Sequence, residues 1–510
     1  MHHFGAIIIT FLLRNLRVSI FLLIFAAKKM KEVAGLIGRQ QQIRLLDQIM
    51  NRDDAQLVAV YGRRRVGKTF LVKRYFEESY DFYFTGSYKT STAIQLTMFA
   101  QALHEYSGQP ETTFKNWIQA FTALKQYLMS LNKDRIVIFL DEIPWMDVAK
   151  SNFLPAFSQF WNSWASTCPG LKLIACGSST TWMLDKFVGD KGGFYGRSNR
   201  SIYLAPFSLG ETERFLRSRN IVWSRYQIVK LYMIMGGIPY YLDMLDSSLP
   251  FDTNIDELFF QMNAPLRNEY DFLFRTLFKN AQLYRRIVEL VATRAKGLTQ
   301  AEIKESLKLS DGGDLSKTLE NLQKCDFIRT YIPFGGKSNG VIYQLTDLFS
   351  LFHLRFVSSY NGQDEHYWTN LDDHKKEVWG GYAFEVACMH HIPQIKERLG
   401  IRGVLTNACC WQTKPITDKN GTQWHGAQID LLLDRDDNIV NLCEMKCSKS
   451  EYAITESYYN TLTSRQETFR HHTSTKKSTT ITFITTYGLK KNKYSDTFLP
   501  HQIVMDDLFD

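Results

Sequence analysis

An α/β architecture is predicted by three observations. From Leu36 to about Leu245 short β-rich runs alternate with helical patterns. From about Phe251 to Leu351 the pattern turns helical and closes in two hairpin-like runs. From about Val378 to Asp510 a helical pattern is again followed by strands. The chain has 510 residues, which at roughly 150 residues per domain suggests three domains. Apolar residues at 45% and charged residues at 22% exclude a largely disordered chain.

The formal net charge is +9, of which Arg14, Arg17, Lys28 and Lys29 in the acid-free first thirty residues supply four. The remaining excess permits nucleic-acid binding without demanding it. Eight cysteines without a CxxC pair indicate reduced thiols and a cytoplasmic setting.

Residues 1–29 form an apolar extension in which Arg14, Asn15 and Arg17 interrupt runs too short to span a bilayer. They read as upstream sequence that is not native to a functional chain beginning at Met30, with a membrane anchor as the alternative. The first domain is expected over 30–248. Its strands are Leu57–Tyr61, Phe82–Thr85, Arg135–Leu140, Leu171–Cys176 and Ser201–Leu204; continuous apolar runs such as Ile136–Leu140 suit a parallel sheet buried on both faces.

Directly after the first strand, Gly62-Arg63-Arg64-Arg65-Val66-Gly67-Lys68-Thr69 matches GxxxxGK[ST] and opens the helical pattern Phe70–Tyr75. The glycines let backbone N–H groups curl around phosphates and the helix N-terminus adds favourable partial charge. This predicts a nucleoside triphosphate as ligand, with Gly62 to Phe70 forming its site. Lys68 would reach the β- and γ-phosphates and Thr69 would hold Mg²⁺. The side chains of Arg63, Arg64 and Arg65 are expected in solvent.

Asp141 and Glu142 end the strand Ile136–Leu140. Asp141 would orient the Mg²⁺ shell and Glu142 would polarise an attacking water; a helix N-cap is the plainer reading of such a pair. Ser178, after the strand Leu171–Cys176, is either a γ-phosphate sensor or a cap. Arg197 would stabilise transition-state charge from its own or a neighbouring subunit of a homo-oligomer.

These residues, with Ile37-Gly38-Arg39, Tyr195-Gly196-Arg197, Leu204-Ala205-Pro206-Phe207 and Gly236-Gly237-Ile238-Pro239-Tyr240-Tyr241-Leu242, resemble the archaeal-type ATPase superfamily of bacteria and archaea. That family lies in the AAA+-like, signal-transduction branch of P-loop ATPases, and the resemblance covers about 35–350. It implies that Gly237 and Pro239 line the adenine side of the nucleotide; a turn opening a core helix is the other reading.

The second domain, 249–350, reads as a winged helix-turn-helix. Thr299 caps one helix, Leu315, Leu319 and Leu322 mark the apolar face of the next, and Phe327–Ile332 and Val341–Leu345 flank a turn at Gly335-Gly336. Lys317 and Lys324 either meet DNA phosphates or lie on a wet face of a domain that packs within the ATPase. An aromatic-rich connector, 351–377, follows.

In 378–510, Asp430 and Glu444 sit on consecutive strand patterns, with Lys446 on the strand face of Glu444 because side chains alternate. Two such acids suit Mg²⁺ or Mn²⁺, a lysine can hold water or phosphate, and Glu385 could join from a helix. The arrangement resembles the PD-(D/E)xK restriction-endonuclease-like fold, a domain appended to many members of the same ATPase family. The Pro that often precedes the first acid is replaced by Ile429. A strand-edge Asp and a surface Glu–Lys pair are the plain alternative.

The sequence thus predicts a P-loop NTPase parallel sheet, a helical/winged-helix domain and a restriction-endonuclease-like α/β domain. Its expected function is ATP hydrolysis whose nucleotide state controls a metal-dependent nuclease-like tail acting on DNA. The rival is a non-nucleolytic switch whose tail only binds a partner.

Overall fold

The computed structural model describes residues 35–188, 200–278, 280–309, 313–336, 340–417 and 423–509. The 1–29 extension and Arg197 lie outside them. Among the described residues no helix is long and apolar enough to cross a membrane. The chain divides into two compact units: residues 35–59, 69–176 and 200–202 form one, and 60–68, 177–188 and 203–509 the other.

The first unit is built on a sheet. Its strands are β1 (Gln56–Tyr61), β2 (Phe82–Thr85), β3 (Ile136–Asp141), β4 (Leu171–Gly177) and β5 (Arg200–Tyr203), in spatial order β2-β3-β4-β1-β5. β2, β3 and β4 are parallel, with Thr85 opposite Asp141 and Leu140 opposite Ala175. All residues of β3 and β4 are buried, as parallel strands covered on both faces must be. Five helices accompany the sheet: α1 (Gln40–Met50), α2 (Lys68–Phe76), α3 (Thr92–Ser107), α4 (Trp117–Ser130) and α5 (Phe153–Ser163). The Ser91 side chain accepts from the Ile94 N–H to start α3, and left-handed Gly108 ends it. Trp117 of α4 is buried against Phe99 and Phe153, with ring centroids 5.6 and 5.0 Å away.

The second unit begins with α6 (Leu209–Ser218) and α7 (Arg225–Met235), each opened by a reciprocal serine cap, Ser208 with Glu211 and Ser224 with Gln227. His391 reaches the start of α6: its Nε2 accepts the Leu209 N–H at 3.0 Å while its Nδ1 lies 2.7 Å from the Ala387 carbonyl.

Further along come α8 (Ala281–Ala292), β6 (Leu298–Thr299), α9 (Gln300–Leu307), α10 (Asp314–Lys324), β7 (Ile328–Tyr331) and β8 (Ile342–Leu345). Thr299 caps α9 in a box with Glu302. The hairpin exists as expected, with Ile328 opposite Leu345. The two-residue β6 adds a third antiparallel strand, giving the order β6-β8-β7; so short a run carries no periodicity to read.

The carboxy-terminal part starts with α11 (Asp373–His390). It continues as β9 (Thr406–Thr413), β10 (Ala427–Arg435), β11 (Ile439–Lys446), α12 (Glu456–Thr473), β12 (Ser478–Thr485) and β13 (Gln502–Val504). The sheet order is β13-β12-β11-β10-β9. β9, β10 and β11 pair antiparallel, while β11, β12 and β13 pair parallel. α12 connects the parallel pair β11 and β12, a crossover that a two-residue turn cannot make. Phe469, Trp411, Leu432 and Phe483 belong to its core.

Candidate functional site

The loop between β1 and α2 has three left-handed positions: Gly62 at φ 146°, Arg65 at 71° and Gly67 at 90°. Gly62 is required by close approach as well, since a Cβ there would lie 2.2 Å from the Leu204 carbonyl oxygen. Val66 is buried. The Lys68 ammonium turns back and donates to the Gly62 and Arg63 carbonyls at 3.0 and 2.9 Å, so it closes the loop from inside.

The three arginines depart from the expectation of solvent exposure. Arg63 is only 3% exposed and makes a forked ion pair with Asp347. Arg65 Nη1 lies 2.9 Å from Glu269 Oε2, and its guanidinium stacks 4.2 Å from the Tyr240 ring centroid. Arg64 lies over Phe272. The correction has a physical reason: each guanidinium meets an acid or ring far along the chain, and an aromatic face attracts a cation without displacing its packing. Phe70, by contrast, is 44% exposed.

Thr69, which follows Lys68 directly, donates its hydroxyl to Asp141 Oδ2 at 2.8 Å. The buried Asp141 also accepts the Glu142 N–H on its other oxygen at 2.9 Å. Glu142 is left-handed, with φ 46° and ψ 44°, a costly conformation for a non-glycine residue. Its carbonyl accepts from the Trp145 N–H at 2.9 Å. The chain therefore bends sharply at Glu142, directly after Asp141. Gly86 makes room for the bend, because a Cβ there would sit 2.6 Å from the Glu142 carbonyl oxygen. A hydroxyl and a carboxylate bonded to one another are oxygen donors of the kind that Mg²⁺ prefers.

Ser178 is buried, and its carbonyl accepts from the Thr180 N–H at 3.1 Å. Gly237 is left-handed and pressed against the Phe207 carbonyl, 2.3 Å from the position of an added Cβ. Pro239 opens a short helix, Pro239–Leu242. Both residues lie at the turn that opens this short helix.

Of the two lysines on α10, Lys324 is engaged by Asp185 and Glu320, each at 2.6 Å. Lys317 is exposed.

In the tail, Leu431 pairs with Cys443 across β10 and β11, and Asp430 and Glu444 are the next residues along their strands. Burial, and then the neighbouring Asp430 and Glu444 carboxylates, push Glu385 up to about 8 against the opposing pull of Lys446. Burial would raise Glu444 also, but Lys446 at 2.8 Å and Arg465 at 2.6 Å hold it below the usual carboxylate range. Tyr458 donates a hydrogen bond to Glu444, and Gln428 one to Asp430. Among the described residues no three His, Cys, Asp or Glu side chains are arranged to hold a metal ion. Asp430, Glu444 and Glu385 are not among such a set, and Glu444 is paired with Lys446, Arg465 and the Tyr458 hydroxyl. Arg465 and Tyr458 were illegible as site residues, since α12 gives only a polar pattern with no motif.

The sheet with β4 lying between β1 and β3, the loop ending β1 and the Thr69–Asp141 pair define a P-loop ATPase domain. The comparisons agree. Residues 36–245 belong to the family described as an ATPase domain predominantly from Archaea. An uncharacterized protein of Methanocaldococcus jannaschii is 27% identical over 323 residues, covering 63% of this chain and 68% of that protein. An uncharacterized ATP-binding protein of the same organism is 38% identical over 45 residues, 9% of this chain and 76% of that protein. Among solved structures, a Walker-type ATPase of Pyrococcus abyssi is similar at 17% identity and a TM-score of 0.42, covering 63% of this chain and 96% of that one. The Aeropyrum pernix ORC2 protein in its ADPNP–ADP complexes is similar at 12% identity and a TM-score of 0.41, covering 65% and 97%.

Proposed function

We propose that the chain is an ATP-hydrolysing switch whose nucleotide state governs its carboxy-terminal α/β part. The observation that carries this reading is the Thr69–Asp141 hydrogen bond, made by the residue that directly follows a loop of P-loop sequence and left-handed glycines. Gly62 to Phe70 would hold the triphosphate through backbone N–H groups and Lys68, and Thr69 with Asp141 would hold its Mg²⁺, which neutralises charge on the phosphates. Glu142, at a left-handed backbone position directly after Asp141, would orient and deprotonate the attacking water. Ser178 would sense the γ-phosphate. Arg197, from this or a neighbouring subunit, would serve as the arginine that meets transition-state charge, and Gly237 and Pro239 would border the adenine. The test is phosphate release with Mg²⁺: Glu142→Gln is expected to bind ATP yet turn over at least ~100-fold more slowly.

The order helix, three antiparallel strands, helix, strand, with Glu385, Asp430, Glu444 and Lys446 on α11, β10 and β11, supports reading the tail as a restriction-endonuclease-like domain acting on DNA. The three-helix segment with its three-stranded sheet supports a winged helix that passes the nucleotide signal on. A second reading, a tail that only docks a partner, is favoured by Glu444 being fully paired. DNA nicking with Mg²⁺ or Mn²⁺ by the parent, against Asp430→Ala and Glu444→Ala, separates them. Nicking lost in both variants supports the nuclease, and no nicking under any nucleotide supports docking.

A further inference from the structure

A phosphate loop binds well only if its N–H groups are already aimed when the ligand arrives, so whatever fixes the loop's shape sets its affinity. In this chain the loop is braced from outside by two acids remote in sequence. Asp347 takes the Arg63 fork and also accepts the Ser350 N–H at 3.0 Å; the side chains of Arg63 and Asp347 are 3% and 2% exposed. Glu269, also buried, takes Arg65 on one oxygen at 2.9 Å and the Tyr241 hydroxyl on the other at 3.1 Å. Arg65 is the loop's left-handed non-glycine residue, and its stack on Tyr240 and its pair with Glu269 hold it there. Arg63 supplies, through its carbonyl, an acceptor for Lys68. If either arginine swung to a phosphate it would leave a buried carboxylate unpaired, which is costly.

We infer that Asp347 and Glu269 are positioning residues for nucleotide binding: they hold Arg63 and Arg65, and through them the loop, in the shape that receives phosphate. Tyr240 and Tyr241 of the Gly-Gly-Ile-Pro-Tyr-Tyr motif act in the same brace. The inference rests on the reading that Gly62–Thr69 takes ATP.

Two variants of the full chain test it. Glu269→Gln keeps an acceptor for Tyr241 and loses the charge that holds Arg65. The double variant Arg63→Met/Asp347→Leu removes both buried charges together, which commonly preserves stability where a single removal does not. MgATP affinity is measured by calorimetry and turnover by phosphate release, with Lys68→Ala as the non-binding control. Both variants are expected to raise Kd and KM about tenfold; in Glu269→Gln, whose residue lies outside the phosphate loop, kcat stays within about twofold of the parent, the mark of lost binding and not of lost chemistry. Unchanged Kd and KM in a folded Glu269→Gln chain overturn the inference. A parent that binds no MgATP at all overturns instead the nucleotide reading beneath it.

Discussion

Gly62→Ala and Gly67→Ala, five residues apart in one loop, are expected to differ sharply. At Gly62 the new Cβ would sit 2.2 Å from the Leu204 oxygen, against roughly 3.5 Å for comfortable contact, so the backbone must move by about 1 Å. The Leu204 N–H donates to the Tyr61 carbonyl at 2.8 Å, and opening that bond costs about 1 kcal/mol. Holding alanine near φ 146° adds about 1–3 kcal/mol of backbone strain. The sum is about 2–4 kcal/mol. At Gly67 nothing lies within 4 Å of an added Cβ, so only the left-handed backbone penalty of about 1–2 kcal/mol remains. Urea unfolding followed by far-UV circular dichroism reads the difference, with MgATP affinity measured on the same samples. Gly62→Ala should unfold at lower urea and bind MgATP more weakly than Gly67→Ala. Equal midpoints, or a less stable Gly67→Ala, would refute the close-approach argument.

Asp141→Asn is expected to weaken Mg²⁺-dependent ATP binding more than Mg²⁺-free binding, checked by titration with and without the metal. Burial pushes His353, His390 and His391 down to about 4. Because their native values lie below the unfolded value, they stay neutral while the unfolded chain takes up protons. Stability is therefore present above about pH 6.5 and lost as pH falls towards 4, by up to about 3 kcal/mol per histidine; urea midpoints in His391→Gln should show a shallower acid slope than the parent. Glu385, raised to about 8, works in the opposite sense. Its contribution is full below about pH 4.5 and disappears as pH rises through 8. Glu385→Gln should thus gain stability at pH 9 relative to pH 5 in chelator-containing buffer. Arg465→Ala removes one of the two cations on Glu444 and should raise the Glu444 pKa, followed by carboxyl resonances in NMR.

The parallel sheet was legible because buried strands hold continuous apolar runs such as Ile136–Leu140, and the phosphate loop because its chemistry fixes residues at short spacing. Thr299 was legible as a cap for the same local reason. What escaped was long-range pairing. Arg63 and Asp347 are separated by 284 positions, and a lone aspartate after a hairpin carries no mark of its partner. β9 was unread because Thr406–Thr413 mixes Asn, Ala and two Cys with few strand-favouring residues. Arg63 to Arg65 were misjudged because charge density in a loop ordinarily means solvent, and only tertiary contact brings Asp347, Glu269 and Tyr240 to them.

The central claim is that the loop from Gly62 and the Thr69–Asp141 pair bind ATP and support its hydrolysis. It is tested most directly by phosphate release from MgATP by the purified chain beside Lys68→Ala. Repeated turnover by the parent and none by the variant is the expected result. No release by the parent, or equal release by both, would contradict it.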